Sequence, residues 1–225
     1  MNPVVKLLAR WHLVSVLVLL VLACEREIPP VIETESFSGY RIEGNVSDRL
    51  GNPVRDVPIA LSYDYELVDD APPPSKTFEV VDENKSIRVA VYDRENRLLR
   101  LLFQGHASPG PLLVEWDQRD NIGNPVPSGV YSVQYIVDSQ LKMSYPVTVS
   151  GAVTARTDSL GHYVIPDKNL PVGFYPVPLY SSDGRSYLGS YRISSYMVLE
   201  FQLEPKRVAG VVLVKDQVTR VDIKV

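Results

Sequence analysis

Apolar residues in this chain recur at every second position, in short runs broken by Gly, Pro, Asn and Asp, and this pattern constrains the fold more than any other feature. Side chains two apart share one face of a strand, whereas a helix face needs spacings of three and four. Ile87, Val89 and Val91 alternate with Arg88 and Ala90, and Leu112, Val114 and Trp116 alternate with Leu113 and Glu115. Tyr131, Val133, Tyr135 and Val137 repeat the pattern, as do Leu199, Phe201 and Leu203, and then Val221, Ile223 and Val225. Each run has one face to bury, and helical periodicity is almost absent from Gly39 to Val225. The expected fold is all-β, with the alternating faces lining sandwich cores; the 13 tyrosines and 18 prolines suit half-buried strands and their turns.

The turns carry a small internal repeat. D-R-L-G-N-P-V at 48–54 and D-N-I-G-N-P-V at 120–126 share the form D-x-x-G-N-P-V, and D-S-L-G at 158–161 is a shorter version. The aspartate can accept hydrogen bonds from backbone amides two residues on, glycine supplies a positive φ, and proline stops the ladder before valine starts a new strand. The spacing of the copies does not continue as a regular period, so the repeat reads as shared turn chemistry and not as a solenoid.

The amino terminus has a different character. Residues 1–10 carry Lys6 and Arg10, residues 13–23 are an apolar run, and Cys24, Glu25, Arg26 and Glu27 end it. That run is well short of the roughly 20 apolar residues of a spanning helix, and it reads as a signal peptide over residues 1–23. Val21-Leu22-Ala23-Cys24 resembles the lipobox of bacterial lipoproteins, with Leu22 bulkier than the residue usual there. The resemblance implies cleavage before Cys24, attachment of diacylglycerol to its thiol with palmitate among the acyl chains, and a membrane anchor. Cys24 is the only cysteine, so the mature part has no disulfide and depends on packing for stability. Residues 24–38, with Pro29-Pro30 and mixed charge, read as a tether.

Two further resemblances concern the body. I-R-V-A-V-Y-D-R-E-N-R-L at 87–98 and V-E-W-D-Q-R-D-N-I-G-N-P-V-P-S-G-V-Y at 114–131 resemble the FlgD-type immunoglobulin-like domain, over about 74–150. Tyr92, Asp93, Arg97, Trp116, Asp117, Asp120, Gly123, Val126, Ser128, Gly129, Val130 and Tyr131 fall on the family pattern. Gln118 and Asn96 stand where that family usually has glycine. R-I-E-G-N-V-S-D-R-L-G-N-P-V at 41–54 resembles the opening of a carboxypeptidase regulatory-like domain, and T-D-S-L-G-H-Y at 157–163 with P-V-G-F-Y at 171–175 resembles its closing half. Together they imply two β-sandwich domains (immunoglobulin-like and transthyretin-like), one inserted in the other: residues 39–70 and 151–225 as a discontinuous host, and residues 71–150 as the insert after a Pro72-Pro73-Pro74 linker.

Composition narrows the function. Lys6 and Arg10 are the only charges in residues 1–23, so the remainder keeps 21 of the 23 Lys and Arg against 27 Asp and Glu, a net of −6. With basic residues scattered among acidic ones, nucleic acid is not an expected partner. The mature part has two histidines, His106 and His162, each beside a glycine and read as a turn residue, and neither sits at ligand spacing for zinc. Asp117, Asp120, Asn121 and Asn124 bring oxygen together but lack the ligand density of a calcium loop, so bracing of the turn is expected. Asp69-Asp70 and Asp82-Glu83 read as solvated charges. No nucleophile elbow or phosphate loop is present in the sequence.

These readings set the expectations: no enzyme, no cofactor, no metal and no catalytic residue, with Cys24 as the one modified position. The chain is expected in the bacterial cell envelope, lipid-anchored to the outer membrane on its periplasmic or surface face, in a structural, adhesive or protein-interaction role with an envelope protein as partner, for instance by edge-strand addition. The alternative is a carbohydrate- or peptidoglycan-binding module that uses Tyr180, Tyr187 and Tyr191 as surface platforms. Trp116 is expected in a core.

Overall fold

The computed structural model describes residues 38–73, 77–80, 83–181 and 184–225. The signal segment, Cys24, the tether up to residue 37, Pro74 and Asp82 lie outside the described residues. The described residues are all-β: 17 strands, a single 3-10 turn at Asp167–Asn169, and no α-helix.

Two sheets enclose the first core. In one, β1 (Tyr40–Ser47) is flanked by the antiparallel β11 (His162–Ile165) and, on its other side, by two strands in parallel, β16 (Gln217–Arg220) and β17 (Ile223–Lys224). In the other, β10 (Ala152–Arg156), β2 (Pro58–Ser62), β14 (Tyr196–Phe201) and β15 (Arg207–Val212) run in that order. Ile42, Val46, Ile59, Leu61, Tyr163, Ile165, Leu199 and Phe201 interdigitate between them, as the alternation of 199 and 201 requires. Among the described residues β1 pairs with no strand of residues 71–150.

At Gly44 the carboxyl-terminal segment crosses β1 between its pairings with β16 and β17. The Val221 carbonyl lies so close that a Cβ on residue 44 would run into its oxygen. Val221 N–H donates to the Glu43 carbonyl at 2.9 Å, and the buried Tyr163 hydroxyl donates to the Val221 carbonyl at 2.8 Å. Only glycine fits this crossing.

The second core lies under a longer sheet. β5 (Ile87–Tyr92) is central, paired with β6 (Leu98–Gly105) and β8 (Gly129–Val137), and β8 pairs in turn with β9 (Gln140–Val149). The short ribbon of β4 (Thr77–Val80) and β7 (Gly110–Leu113) supplies Phe78 and Val80 to the core, with Val114 following β7. Val89, Val91, Val133, Tyr135 and Tyr145 meet them there, and Phe78 stacks on Tyr135 with ring centres 5.1 Å apart. Tyr131 anchors the start of β8: its hydroxyl donates to the Pro127 carbonyl at 2.7 Å, in the manner of the tyrosine corner of immunoglobulin-like sandwiches.

The two cores are not separate beads. β12 (Gly173–Ser181) and β13 (Gly184–Ile193) form one long hairpin, which pairs with β9 on one side and β3 (Tyr65–Val68) on the other, giving a seven-stranded sheet. Ile193 sits in the first core and Val177 and Tyr191 in the second, so a single hairpin serves both. Tyr63 adds a polar clasp: its hydroxyl lies 2.7 Å from the Gly129 carbonyl and 2.9 Å from that of Val149, and its backbone N–H donates to Ser150 Oγ. Burial pushes the Tyr63 phenol far above its ordinary pKa, so it stays a donor at any physiological pH.

Candidate binding surface

Four turns share one geometry. Asp48 Oδ1 accepts from the N–H groups of Leu50 and Asn52, both at 2.8 Å, while Gly51 takes a φ of +89°. Asp120 does the same with Ile122 and Asn124, and Gly123 has φ +88°. Asp158 does so with Leu160 and His162, and Gly161 has φ +72°. The fourth copy is Asp93, which accepts from Glu95 and Arg97 with Asn96 at φ +59°. It escapes a search for glycine because asparagine tolerates the left-handed region well enough to replace it. Gln118, the other residue standing where the FlgD-type pattern has glycine, is also left-handed, at φ +59°.

This geometry decides what the acidic turns do. Asp48, Asp93 and Asp120 spend both oxygens on their own loops and Asp158 its Oδ1, and no group of three or more His, Cys, Asp or Glu able to hold a metal occurs among the described residues. The carboxyls of Asp48 and Asp120 sit below the usual range: at Asp48 the Asn52 side chain and the loop amides outweigh desolvation, and at Asp120 the amides of Asn124 and Ile122 do. Asp93 is lowered as well; burial opposes this, but the Arg97 amide and the Arg97 guanidinium, 2.7 Å from Oδ2, overcome it. A carboxyl whose folded pKa is depressed contributes fully above its unfolded value near 4, and that contribution is lost as pH falls through the folded value. Asp93→Asn is therefore expected to cost about 1 kcal/mol at pH 7 and much less at pH 3, in urea unfolding curves recorded at both.

The other singled-out residues fall as follows. His106 is an exposed loop residue whose Nδ1 lies 2.9 Å from the Lys85 carbonyl. His162 closes the Asp158 turn, its N–H bonded to Asp158 Oδ1, and is also the first residue of β11, paired with Asn45. Trp116 lies beyond the end of β7, half-buried, with its indole N–H donating to the Arg119 carbonyl and its ring edge-on to Tyr131 at 5.2 Å. It packs at the margin of the second core. Asp69 and Asp70 both take positive φ in a tight turn, and Glu83 is exposed.

Tyr191 is no surface platform. It is fully buried in the second core, stacked on Tyr65 at 5.2 Å with its hydroxyl donating to the Pro72 carbonyl at 2.9 Å. β13 turns this position inward where the hairpin crosses from one core to the other. Tyr180 and Tyr187 do lie near the hairpin end, but the Arg185 guanidinium stands 5.2 Å and 4.8 Å from their ring centres. A ligand stacking there meets a cation already in place.

A cleft of about 260 Å³ lies where the Asp93 turn, the 125–131 segment and the 3-10 turn meet, lined by Arg94, Arg97, Asp120, Tyr131 and Lys168 among others. Its arginines are engaged internally. Arg94 donates to the carbonyls of Asp167 and Leu170, and Arg97 pairs with Asp93 and Glu95. Burial pushes the Tyr131 phenol up to about 12, which keeps it protonated as the brace of the Pro127 corner. The cleft therefore does the work of a joint.

The sheet edges differ sharply from one another. β6 is covered by the Asp120 turn: Asn121 N–H donates to the Leu99 carbonyl at 2.8 Å, and Asn121 Oδ1 accepts from Leu101 N–H at 3.1 Å. β10 is broken by a register shift between Val153 and Ala155. β3 and β11 are four residues long, and β3 carries Glu66 bonded to Arg192 at 2.7 Å. These are the devices by which sheets avoid unwanted pairing. β15 has neither a bulge nor a covering turn: its six residues pair in unbroken register with β14, and its one charged side chain, Arg207, stands at the strand's start, leaving residues 208–212 uncharged. Val208 and Val212 are 60% and 62% exposed, and Tyr196 lies across Gly210, its hydroxyl 2.5 Å from where a Cβ there would stand. Nothing in the sequence reading singled out residues 207–212.

No protein-family model matches the chain, and no curated protein matches it.

Proposed function

We propose that this chain is a lipid-anchored protein of the bacterial cell envelope, held through Cys24 at the outer membrane, whose β body binds another protein and performs no catalysis. The open β15 edge, uncharged from Val208 to Val212 and apolar on its outer face, supports the binding role most directly. The V-L-A-C sequence at 21–24 and the short apolar run before it support the anchor. The body is read as a FlgD-type immunoglobulin-like module at residues 71–150 set into a discontinuous regulatory-like sandwich of residues 39–70 and 151–225. The pairing of β1 with β11, β16 and β17 supports that division, while the shared β12–β13 hairpin makes the two parts a stiff spacer.

A glycan-binding role is the second reading, favoured by the exposed Tyr187 beside Arg185. It is weaker, since the guanidinium already occupies the aromatic face. In-cell amine crosslinking followed by purification under denaturing conditions tests the binding role. A discrete protein adduct is expected; recovery of the uncrosslinked chain alone, together with peptidoglycan binding abolished by Tyr187→Ala, would reverse the order of the two readings.

A further inference from the structure

Val208-Ala209-Gly210-Val211-Val212 reads nearly the same in both directions: valine at both ends, a small or β-branched residue inside each, and glycine at the centre. On β15 the even positions point outward, where Val208, Gly210 and Val212 are exposed, and the odd positions, Ala209 and Val211, pack on the first core. A strand that meets its own copy across a two-fold axis must match itself, face for face, about the axis. An axis through Gly210 does this. It sets Val208 of one copy against Val212 of the other and Ala209 against Val211, so outward residues meet outward and inward meet inward.

Charge selects the same register. An axis through Ala209 would also keep the faces matched, but it would set Lys206 against Val212 and Arg207 against Val211. With the axis at Gly210, Arg207 faces Leu213 and Lys206 faces Val214, both past the end of β15 at Val212, and Lys206 remains paired with Glu200 at 2.6 Å. The two glycines at the centre would leave a hole in the outer face, and Tyr196 already lies over that place from the neighbouring strand. An aromatic ring across an edge glycine supplies the side-chain contact that the glycine lacks.

We infer that β15 is the surface through which two copies of this chain pair, antiparallel about Gly210, joining two four-stranded sheets into one of eight. The inference rests on the reading of the body as a protein-binding one and names its partner as a second copy.

The full-length protein, extracted in mild detergent, is sized by analytical ultracentrifugation beside a Val208→Lys/Val212→Lys variant, and a photocrosslinking amino acid is placed at Val208 in cells. Both substituted positions are more than half exposed, so the variant is expected to keep its melting temperature. The wild type is expected at twice the chain mass and the variant at one, with the crosslink joining position 208 to peptides around Val212 at least tenfold less when Val212 is lysine. A monomeric wild type, or a crosslink to a different protein, overturns the inference. In the second case the edge binds a foreign strand and the protein-binding role stands; in the first without any adduct, the amine crosslinking above decides whether that role survives elsewhere on the body.

Discussion

Gly44→Ala is expected to destabilise the protein by more than about 3 kcal/mol, well above the roughly 1 kcal/mol at which point substitutions centre. The obstacle is backbone: the Val221 carbonyl stands where the methyl must go, and it is fixed by the Tyr163 hydroxyl below and by the bond from Val221 N–H to Glu43. Relief requires the 221–225 segment to leave β1, which forfeits the pairing of β17 and uncovers the face of β1 carrying Ile42 and Val46. Hydrogen exchange should show β1, β16 and β17 losing protection together, while β5 and β8 change little. Urea unfolding within about 1 kcal/mol of wild type would mean that the crossing is looser than described.

Tyr191→Ala is expected to cost about 3–5 kcal/mol, the usual toll for removing a fully buried large side chain without refilling its space. The ring stacks on Tyr65, and the hydroxyl satisfies the Pro72 carbonyl. Its position gives the loss a second consequence. Val177 and Tyr191 are the fully buried contributions of the β12–β13 hairpin to the second core, while Ile193 on the same strand as Tyr191 belongs to the first. Weakening that hairpin at Tyr191 should uncouple the cores, so the wild type unfolds in one transition and the variant in two, with the β5–β8–β9 sheet lost first. Tyr191→Phe keeps the ring and loses only the bond to Pro72, with an expected cost of about 1–2 kcal/mol and a single transition.

Much of the fold was legible because its causes are local. Alternation at 87–91, 131–135 and 199–201 marks strands whose inward residues are buried, since a strand needs only its own pleat to present one face, while Leu203 falls beyond the end of β14. The Asp48, Asp120 and Asp158 turns were legible for the same reason: the aspartate bonds amides within four residues of itself. Asp93 was harder only because asparagine replaces glycine at 96.

The errors come from contacts distant in sequence. Tyr191 looked like an exposed strand residue, and only the docking of β13 between β12 and β3 buries it. His162 closes a turn, yet pairing with Asn45 also places it in a strand. The candidate surface was the least legible part. Whether R-V-A-G-V-V is a central or an edge strand depends on which strands take the neighbouring places, and glycine at its middle argues locally against a strand at all.

The proposed anchor at Cys24 would give the body the envelope partners and the crowding that an open edge implies. Growth with labelled palmitate, followed by isolation of the wild-type chain and of Cys24→Ala, tests it directly. The account predicts label on a membrane-bound wild type whose mature chain begins at residue 24, and an unlabelled Cys24→Ala chain that keeps its uncleaved amino terminus. An unlabelled wild type, or label that persists in Cys24→Ala, would contradict it.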